Sequence, residues 1–261
     1  MIAGVLTAEW IKLRTVRATP WCLGLMFVLC VGVSVIIGLA THSLSAPDDD
    51  LTGIGGNAGM LLMGAAPVIG FAGLPGFGVL LCGLLGVLSV TTEARFGTLR
   101  ATFLAVPNRW VALSAKLIVV CVACAVAAFV TVAVGLLAFV AVGGGSGGVS
   151  LLGPGTSIYL TVPVSAALVA AVGVGLGALL RNAAGAVTVL LLYFVLFENV
   201  LSSVPKVRVV GPYLPFANLQ HFLHVAPGHF RWPPAVGGGY FLAFAAVVYL
   251  AGAAVVARRD A

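Results

Sequence analysis

The sequence predicts an all-α integral membrane protein, and three observations carry that prediction. Charge is scarce: 8% of the 261 residues are Asp, Glu, Lys or Arg, against 61% hydrophobic, where a soluble domain carries about 25% charged residues. The mean hydropathy is +1.19. Apolar runs also recur at lengths near the roughly 20 residues that a helix needs to cross a bilayer core of about 30 Å. Six segments meet or approach that length: 20–40, 68–90, 113–142, 158–180, 184–201 and 236–256. The fifth is short, and the third is long enough to tilt or to run past the bilayer. Together they use most of the chain, so residues 1–261 read as one transmembrane domain with no separate soluble domain.

The first span reads as a retained helix and not as a cleaved leader. Its apolar run is long, about twenty residues precede it, and no convincing small-residue cleavage site follows. Charge then orients the bundle. Of the 13 Lys and Arg residues, only Lys206, Arg208 and Arg231 fall on one side of a six-span layout. Lys12, Arg14, Arg17, Arg95, Arg100, Arg109, Lys116, Arg181, Arg258 and Arg259 fall on the other. Cations near helix ends favour the cytoplasmic side, so both termini are expected in the cytoplasm. The net charge of +6 is thus a topology signal first. Nucleic-acid binding is excluded as a function, because no basic domain with a recognition motif exists.

Residues 2–17 read as an amphipathic interfacial helix. Ile2, Val5, Leu6, Trp10, Leu13 and Val16 share a face at helical spacing, with Lys12 and Arg14 at its edges. Trp10 is expected at headgroup depth. Glu9 points into the apolar face. The simpler explanation is a pair with Lys12 at i,i+3; the alternative is that Glu9 holds a basic residue of the 93–116 loop. Residues 41–67 are expected as an outer loop, solvated despite Asp48, Asp49 and Asp50, since calcium needs better distributed oxygen ligands. Residues 143–157 are a glycine-rich outer turn. Gly173, Gly175 and Gly177 sit in a predicted membrane helix. They read as small residues for close helix approach, not as a nucleotide loop. Arg181-Asn182 is a tight inner turn. Residues 202–235, rich in proline and in aromatics such as Tyr213, Phe216 and Trp232, read as a re-entrant or interfacial cap.

Few residues are placed to do chemistry. Glu198 is the one acid inside a predicted span, and intramembrane acids call for a functional hypothesis. It can pair with Lys206 or Arg208 or meet interfacial water, in a structural or gating role or in handling substrate or protons. His221 and His224 stand at i,i+3 with His229 nearby, but the further ligand and the glutamate of a zinc hydrolase site are missing. They read as packed interfacial histidines. Cys22, Cys30, Cys82, Cys121 and Cys124 fall inside spans and read as small core hydrophobes. No Ser/His/Asp constellation is legible, and no P-loop sequence occurs, so no enzymatic activity, metal or cofactor is expected in this chain.

The densest island of charge lies between the second and third spans. It runs from Glu93 through Arg95, Arg100 and Arg109 to Lys116. Thr91 or Thr92 caps a short turn carrying Glu93 and Arg95, and Gly97 allows a sharp bend. Thr98 is an N-cap for a two-turn helix over 99–106. On that helix Leu99, Phe103 and Val106 share a face, while Arg100 and Thr102 lie away from it. Pro107 ends it. Phe103 is a natural knob for a partner's groove; the other reading is a helix that merely rests on the membrane.

Six spans, an N-terminal amphipathic helix carrying Glu9-Trp-x-Lys-Leu-Arg14, and Glu93-x-Arg-x-Gly-Thr-Leu-Arg100 before the third span resemble the permease subunits of bacterial ABC-2-type transporters, most of all those of actinobacteria. The resemblance covers nearly the whole chain. It implies that residues 2–17, with Glu9, Trp10, Lys12 and Arg14, form an elbow helix. It implies a cytoplasmic coupling helix at 99–106, and a re-entrant segment at about 205–234. Glu93, Arg95, Gly97, Thr98, Leu99, Arg100, Thr102 and Phe103 would then contact an ATPase subunit. It further implies two permease protomers, as homodimer or paralogous heterodimer, working with two separate ATPases that bind the ATP and magnesium. The expected role is export of a lipidic, amphipathic or drug-like substrate across the cell membrane. Two other classes fit the residues less well: a stand-alone channel or secondary transporter using Glu198, and a membrane anchor or sensor for a cytoplasmic partner.

Overall fold

In a computed structural model of the protein, residues 2–44, 56–71, 74–98, 109–143, 150–152, 155–203, 208–225 and 230–259 are described. The chain begins with α1 (Ile2–Thr15) and α2 (Ala18–Leu44), then α3 (Gly56–Ile69). Two two-residue strands, β1 (Gly70–Phe71) and β2 (Leu74–Pro75), pair antiparallel. There follow α4 (Phe77–Phe96), α5 (Arg109–Ala141), α6 (Ile158–Leu180) and α7 (Ala183–Leu191). A π-helical stretch (Leu192–Phe197) leads into α8 (Glu198–Ser203). A 3-10 turn (Arg208–Tyr213), α9 (Pro215–Phe222) and α10 (Pro234–Arg259) complete the fold. Among the described residues five helices, α2, α4, α5, α6 and α10, are long and apolar enough to cross a membrane. Their outward faces carry large apolar side chains: Trp21, Val28 and Ile36 on α2, Ile118, Val122 and Val126 on α5, Val247 and Leu250 on α10. Apolar faces turned outward on several helices are what a bilayer, and not water, solvates.

Helix α6 is the centre of the bundle, packed on α4, α5 and α10. The glycines at 173, 175 and 177 allow it. A Cβ at Gly173 would collide with the Gly83 carbonyl of α4, one at Gly177 would crowd Val87 of the same helix, and one at Gly175 would press into the Tyr249 backbone of α10. Gly86 and Gly252 repeat the arrangement from the other side, against Ala170 and Gly175. Without a hydrophobic drive between helices in lipid, close backbone approach is a principal source of attraction. The cysteines pack as apolar groups here too. Cys30, Cys82 and Cys124 are wholly buried, and the Cys82 thiol lies 3.7 Å from Met26 Sδ.

Two spans differ from the sequence expectation. The second was expected at 68–90, after an outer loop at 41–67. Instead residues 56–69 are helical, the chain turns through the β1–β2 hairpin, and the long helix starts at Phe77. Gly70 has φ 101°, and a Cβ at Gly76 would strike Val68 O. Glycine and Pro75 therefore set a break that an average over hydropathy passes across. Ser34 ties α3 to α2, its hydroxyl 2.7 Å from Gly64 O and 2.8 Å from Cys30 O. The fifth span, expected as one helix over 184–201, is α7, the π-helical stretch and α8 in succession. Within this stretch Tyr193 and Phe194 meet Phe216 of the segment that follows, where the wider π-helical turn alters the direction of successive side chains.

The tight turn at Arg181-Asn182 is where the sequence places it. Arg181 closes α6 in the left-handed region (φ 51°), and the Asn182 side chain accepts from Ala184 N (3.1 Å) and Gly185 N (3.5 Å) as the N-cap of α7. Gly97 (φ 71°) closes α4 in the same way, its N–H donating to Ala94 O. The C-termini of α4, α6 and α10 and the N-terminus of α5 gather at one end of the bundle, with α1 beside them. Residues 208–225 cover the other end.

Candidate functional site

The gathered helix ends enclose a ring of four charges. Lys116 sits two turns into α5 and is buried, with its Nζ 2.6 Å from Glu9 Oε2 and 2.8 Å from Glu93 Oε1. Glu9 is also buried, and its second oxygen accepts from Lys12 Nζ at 2.6 Å. Lys12 closes the ring onto Glu93 Oε1 at 3.4 Å. Two ammoniums and two carboxylates therefore alternate, with no net charge. Glu9 makes both contacts weighed for it from sequence: the local one with Lys12 and the long-range one with a cation of the 93–116 loop. Ordinary helix geometry brings the members together. Glu9 and Lys12 are one turn apart on α1. Glu93 is in the last turn of α4, and Lys116 lies on the face of α5 that meets both.

Electrostatics keep the members on α1 ionised. Burial pushes the Glu9 carboxyl upward, but the neighbouring Lys116 ammonium, its hydrogen bond and Lys12 outweigh it and hold the carboxyl below the usual carboxylate range. Burial likewise works against the Lys12 ammonium, and Glu9 and Glu93 outweigh it, holding Lys12 above its ordinary value. A buried pair stripped of one partner leaves a charge without compensation, at about 3–5 kcal/mol. The ring is therefore a lock between α1, α4 and α5.

That lock sets the roll of α1 and corrects one expectation. The inward face carries Val5, Leu6, Glu9, Lys12 and Leu13, with the partly exposed Val16 at its edge, whereas Trp10 is exposed with Ile11 and Arg14. The expected single stripe through Trp10 is thus split, because a buried carboxylate must meet its cations and helical spacing fixes the rest. A second correction concerns Thr91 and Thr92. They cap no turn; they lie inside α4, their hydroxyls donating to Val87 O and Leu88 O. Glu93 and Arg95 belong to the final turn of that same helix.

Past the ring the chain runs outward. Arg95, Phe96, Gly97 and Thr98 are all exposed, with the Arg95 guanidinium 6.0 Å from the centre of the Phe96 ring. The Thr98 hydroxyl reaches back to Glu93 O at 3.3 Å. Leu99, Arg100, Thr102 and Phe103, with the rest of the expected 99–106 helix, lie outside the described residues. Arg109 opens α5 and caps the end of α10, donating to Ala257 O (3.2 Å) and Val256 O (3.5 Å). A cation is favoured at such a carboxyl terminus. Sequence reasoning counted Lys116 and Arg109 only as cations of an inner loop, and passed over Phe96. An arginine beside an aromatic just before a helix-ending glycine was the available signal for Phe96.

The opposite end is built around Glu198. Its buried carboxylate accepts from Phe216 N (3.0 Å, Oε1) and Ala217 N (2.9 Å, Oε2), the first free amides of α9. Glu198 thus caps a helix that has Pro215 at its first position and no side-chain cap from its own Leu214. Neither Lys206 nor the Arg208 side chain, the cations weighed as its partners, lies among the described residues. Asn218, fully buried, donates to Pro212 O (2.7 Å) and Leu214 O (2.9 Å) and accepts from Trp232 Nε1 (3.1 Å). Phe216 packs among Phe194, Tyr193, Phe241 and Phe244 in tilted and edge-on contacts. His221 has its Nε2 2.9 Å from Trp232 O and its ring parallel to Phe230 at 4.1 Å. His224 takes a left-handed backbone (φ 62°), and His229 lies outside the described residues. Among the described residues no three His, Cys, Asp or Glu side chains are grouped to hold a metal ion. The sequence matches no protein-family model and no curated protein.

Proposed function

We propose that this chain is the membrane-spanning subunit of an ATP-driven transporter of the ABC-2 type, and that its loop at 93–110 couples it to a separate ATPase subunit. The observation that carries the reading is the ring of Lys12, Glu9, Lys116 and Glu93. Glu93 precedes residues 94–108 and Lys116 follows them two turns into α5, and both are tied to α1, Lys116 through Glu9 and Glu93 through Lys12. A push on the loop is then felt by α1, α4 and α5 together, because the members cannot separate without stranding buried charge. In this reading the basic end faces the cytoplasm, with both termini, and the cap over α9 faces outward. The chain crosses six times, with α7 through α8 as a broken fifth crossing. Arg95, Arg100 and Phe103 touch the ATPase, which holds ATP and magnesium. Two permease protomers, identical or paralogous, share two ATPases in the cell membrane, and the cargo is apolar or amphipathic and moves outward. ATP closure and the outward opening are coupled through the ring end.

The arrangement of Glu198 favours this over a channel or secondary transporter built on that acid, since both its oxygens serve backbone amides. A membrane anchor that moves nothing would leave ATP turnover insensitive to the loop. The test is to exchange Phe103→Asp and Arg100→Glu and to purify the chain from its native membrane. The reading expects loss of the co-purifying ATPase from the doubly changed chain. An ATPase still bound, with transport intact, removes the loop from the interface.

A further inference from the structure

We propose that the crevice beneath α1 binds a phospholipid with a zwitterionic headgroup bearing a primary ammonium, of the phosphatidylethanolamine class. The enclosed part of the crevice is small, about 40 Å³, and its mouth is open, so it admits the terminal ammonium of a headgroup and leaves the phosphate and acyl chains at the mouth. Its floor is the charged ring. Its walls, Leu13 and Val16 of α1, Leu85 and Leu88 of α4, Val119 and Val120 of α5, run from the ring toward the bundle's apolar middle. A polar floor at the level of an interfacial helix and an apolar wall leading away from it match a headgroup and the start of an acyl chain.

The ring itself selects the headgroup. Glu93 has one oxygen engaged by Lys116 and Lys12; the other, Oε2, is buried and accepts no hydrogen bond. A buried acceptor left unpaired is costly, and an N–H donor from a ligand relieves that cost. Because the ring is neutral, a net-charged ligand would add uncompensated charge to a largely buried site, whereas a zwitterion adds none. Lys12 is the mobile member: its side chain is 36% exposed and its 3.4 Å contact with Glu93 is the longest of the ring. At the mouth it meets the lipid phosphate while keeping its 2.6 Å contact with Glu9, and the lipid ammonium donates to Glu93 Oε2. Choline headgroups carry the same charges but no N–H, and glycerol headgroups leave a net negative charge. The inference rests on the membrane placement of the chain and not on its coupling to an ATPase.

The experiment uses the full-length chain and native mass spectrometry. The probes are dioctanoyl-phosphatidylethanolamine, its mono-, di- and trimethylated derivatives, and dioctanoyl-phosphatidylglycerol. Charge is constant along the methylated series and only the N–H count changes, so the wild-type chain alone tests the idea. Affinity is expected to fall about tenfold or more by the trimethylated member, the size of a lost charge-assisted hydrogen bond. Glu93→Gln is expected to flatten the series, and Leu88→Trp, which fills the wall, to weaken every member. A flat series on the wild-type chain, tightest binding of the glycerol lipid, or a preference unchanged in Glu93→Gln would overturn the proposal.

Discussion

The two ends of the bundle each bury acid, and they satisfy it in opposite ways. At the basic end Glu9 and Glu93 are met by the long, flexible side chains of Lys12 and Lys116. At the other end Glu198 is met by two backbone amides of α9. Side-chain ammoniums can keep their partners while the helices shift. Backbone amides fixed in a helix turn cannot, and the Asn218 bonds and the aromatic cluster around Phe216 hold that turn further. The difference teaches where motion is accommodated. The basic end is held through flexible side chains that keep α1, α4 and α5 together as they shift, and the cap end through backbone amides that hold one geometry.

Lys116→Met should be the most damaging single change, because it leaves Glu9 and Glu93 facing each other with only Lys12 between them. A loss of about 3–5 kcal/mol is expected, read as the unfolding midpoint of the detergent-solubilised chain. Adding Glu9→Gln should restore part of it, since the second change removes one stranded charge. If the two losses simply add, the ring is not a coupled unit. Acid should act next. The Glu9 carboxyl is depressed below its ordinary 4.5 by Lys116 and Lys12 against the opposing effect of burial. Its contribution is therefore whole above 4.5 and is lost as pH falls through the lower folded value. Lys12, raised above 10.5 by Glu9 and Glu93 against burial, contributes fully below 10.5 and fails as pH rises through its higher folded value. A pH scan of the same midpoint should show a plateau between these limits, and a chain with Lys12→Met should lose the alkaline limb and show a weaker acid limb, because Lys12 also helps hold the Glu9 carboxyl down.

Glu198→Gln should cost about 1–3 kcal/mol, because the amide presents one acceptor to two donors. Its signature is local: faster hydrogen exchange at Phe216 and Ala217 with the basic end unaffected. An equal disturbance at both ends would contradict their separate design. The smallest effect belongs to Lys12→Met, about 1 kcal/mol or less at neutral pH, since Lys12 is the half-exposed member of the ring.

Much of the fold was legible because its signals are local. Hydropathy found α2, α5, α6 and α10 nearly whole. Arg181-Asn182 announced the turn into α7, whereas the end of α4 was placed at 90 and Gly97, which closes the helix, was read only as a bend. The hairpin at 70–75 was not legible, because Gly70 and Pro75 lie within an apolar run that averages as one span. Nor was the π-helical stretch, which changes hydrogen bonding without changing composition. The ring was half legible. An acid on the apolar face of α1 demanded a partner, and the 93–116 loop was named as one source. That the partner is Lys116 depends on how α1 crosses α5, a contact between residues 107 apart in sequence. Glu198 was found as an acid inside a span, but cations or interfacial water were weighed as its partners and the α9 amides were not, because a backbone amide leaves no mark in the sequence.

The central claim is that a separate ATPase works through the ring end, and affinity purification of the chain from its native membrane tests it most directly. The account predicts a P-loop ATPase recovered in one-to-one ratio with this chain, and a ratio that falls when Phe103→Asp is introduced. Recovery of the chain with no ATPase, together with transport that proceeds without ATP, would contradict it.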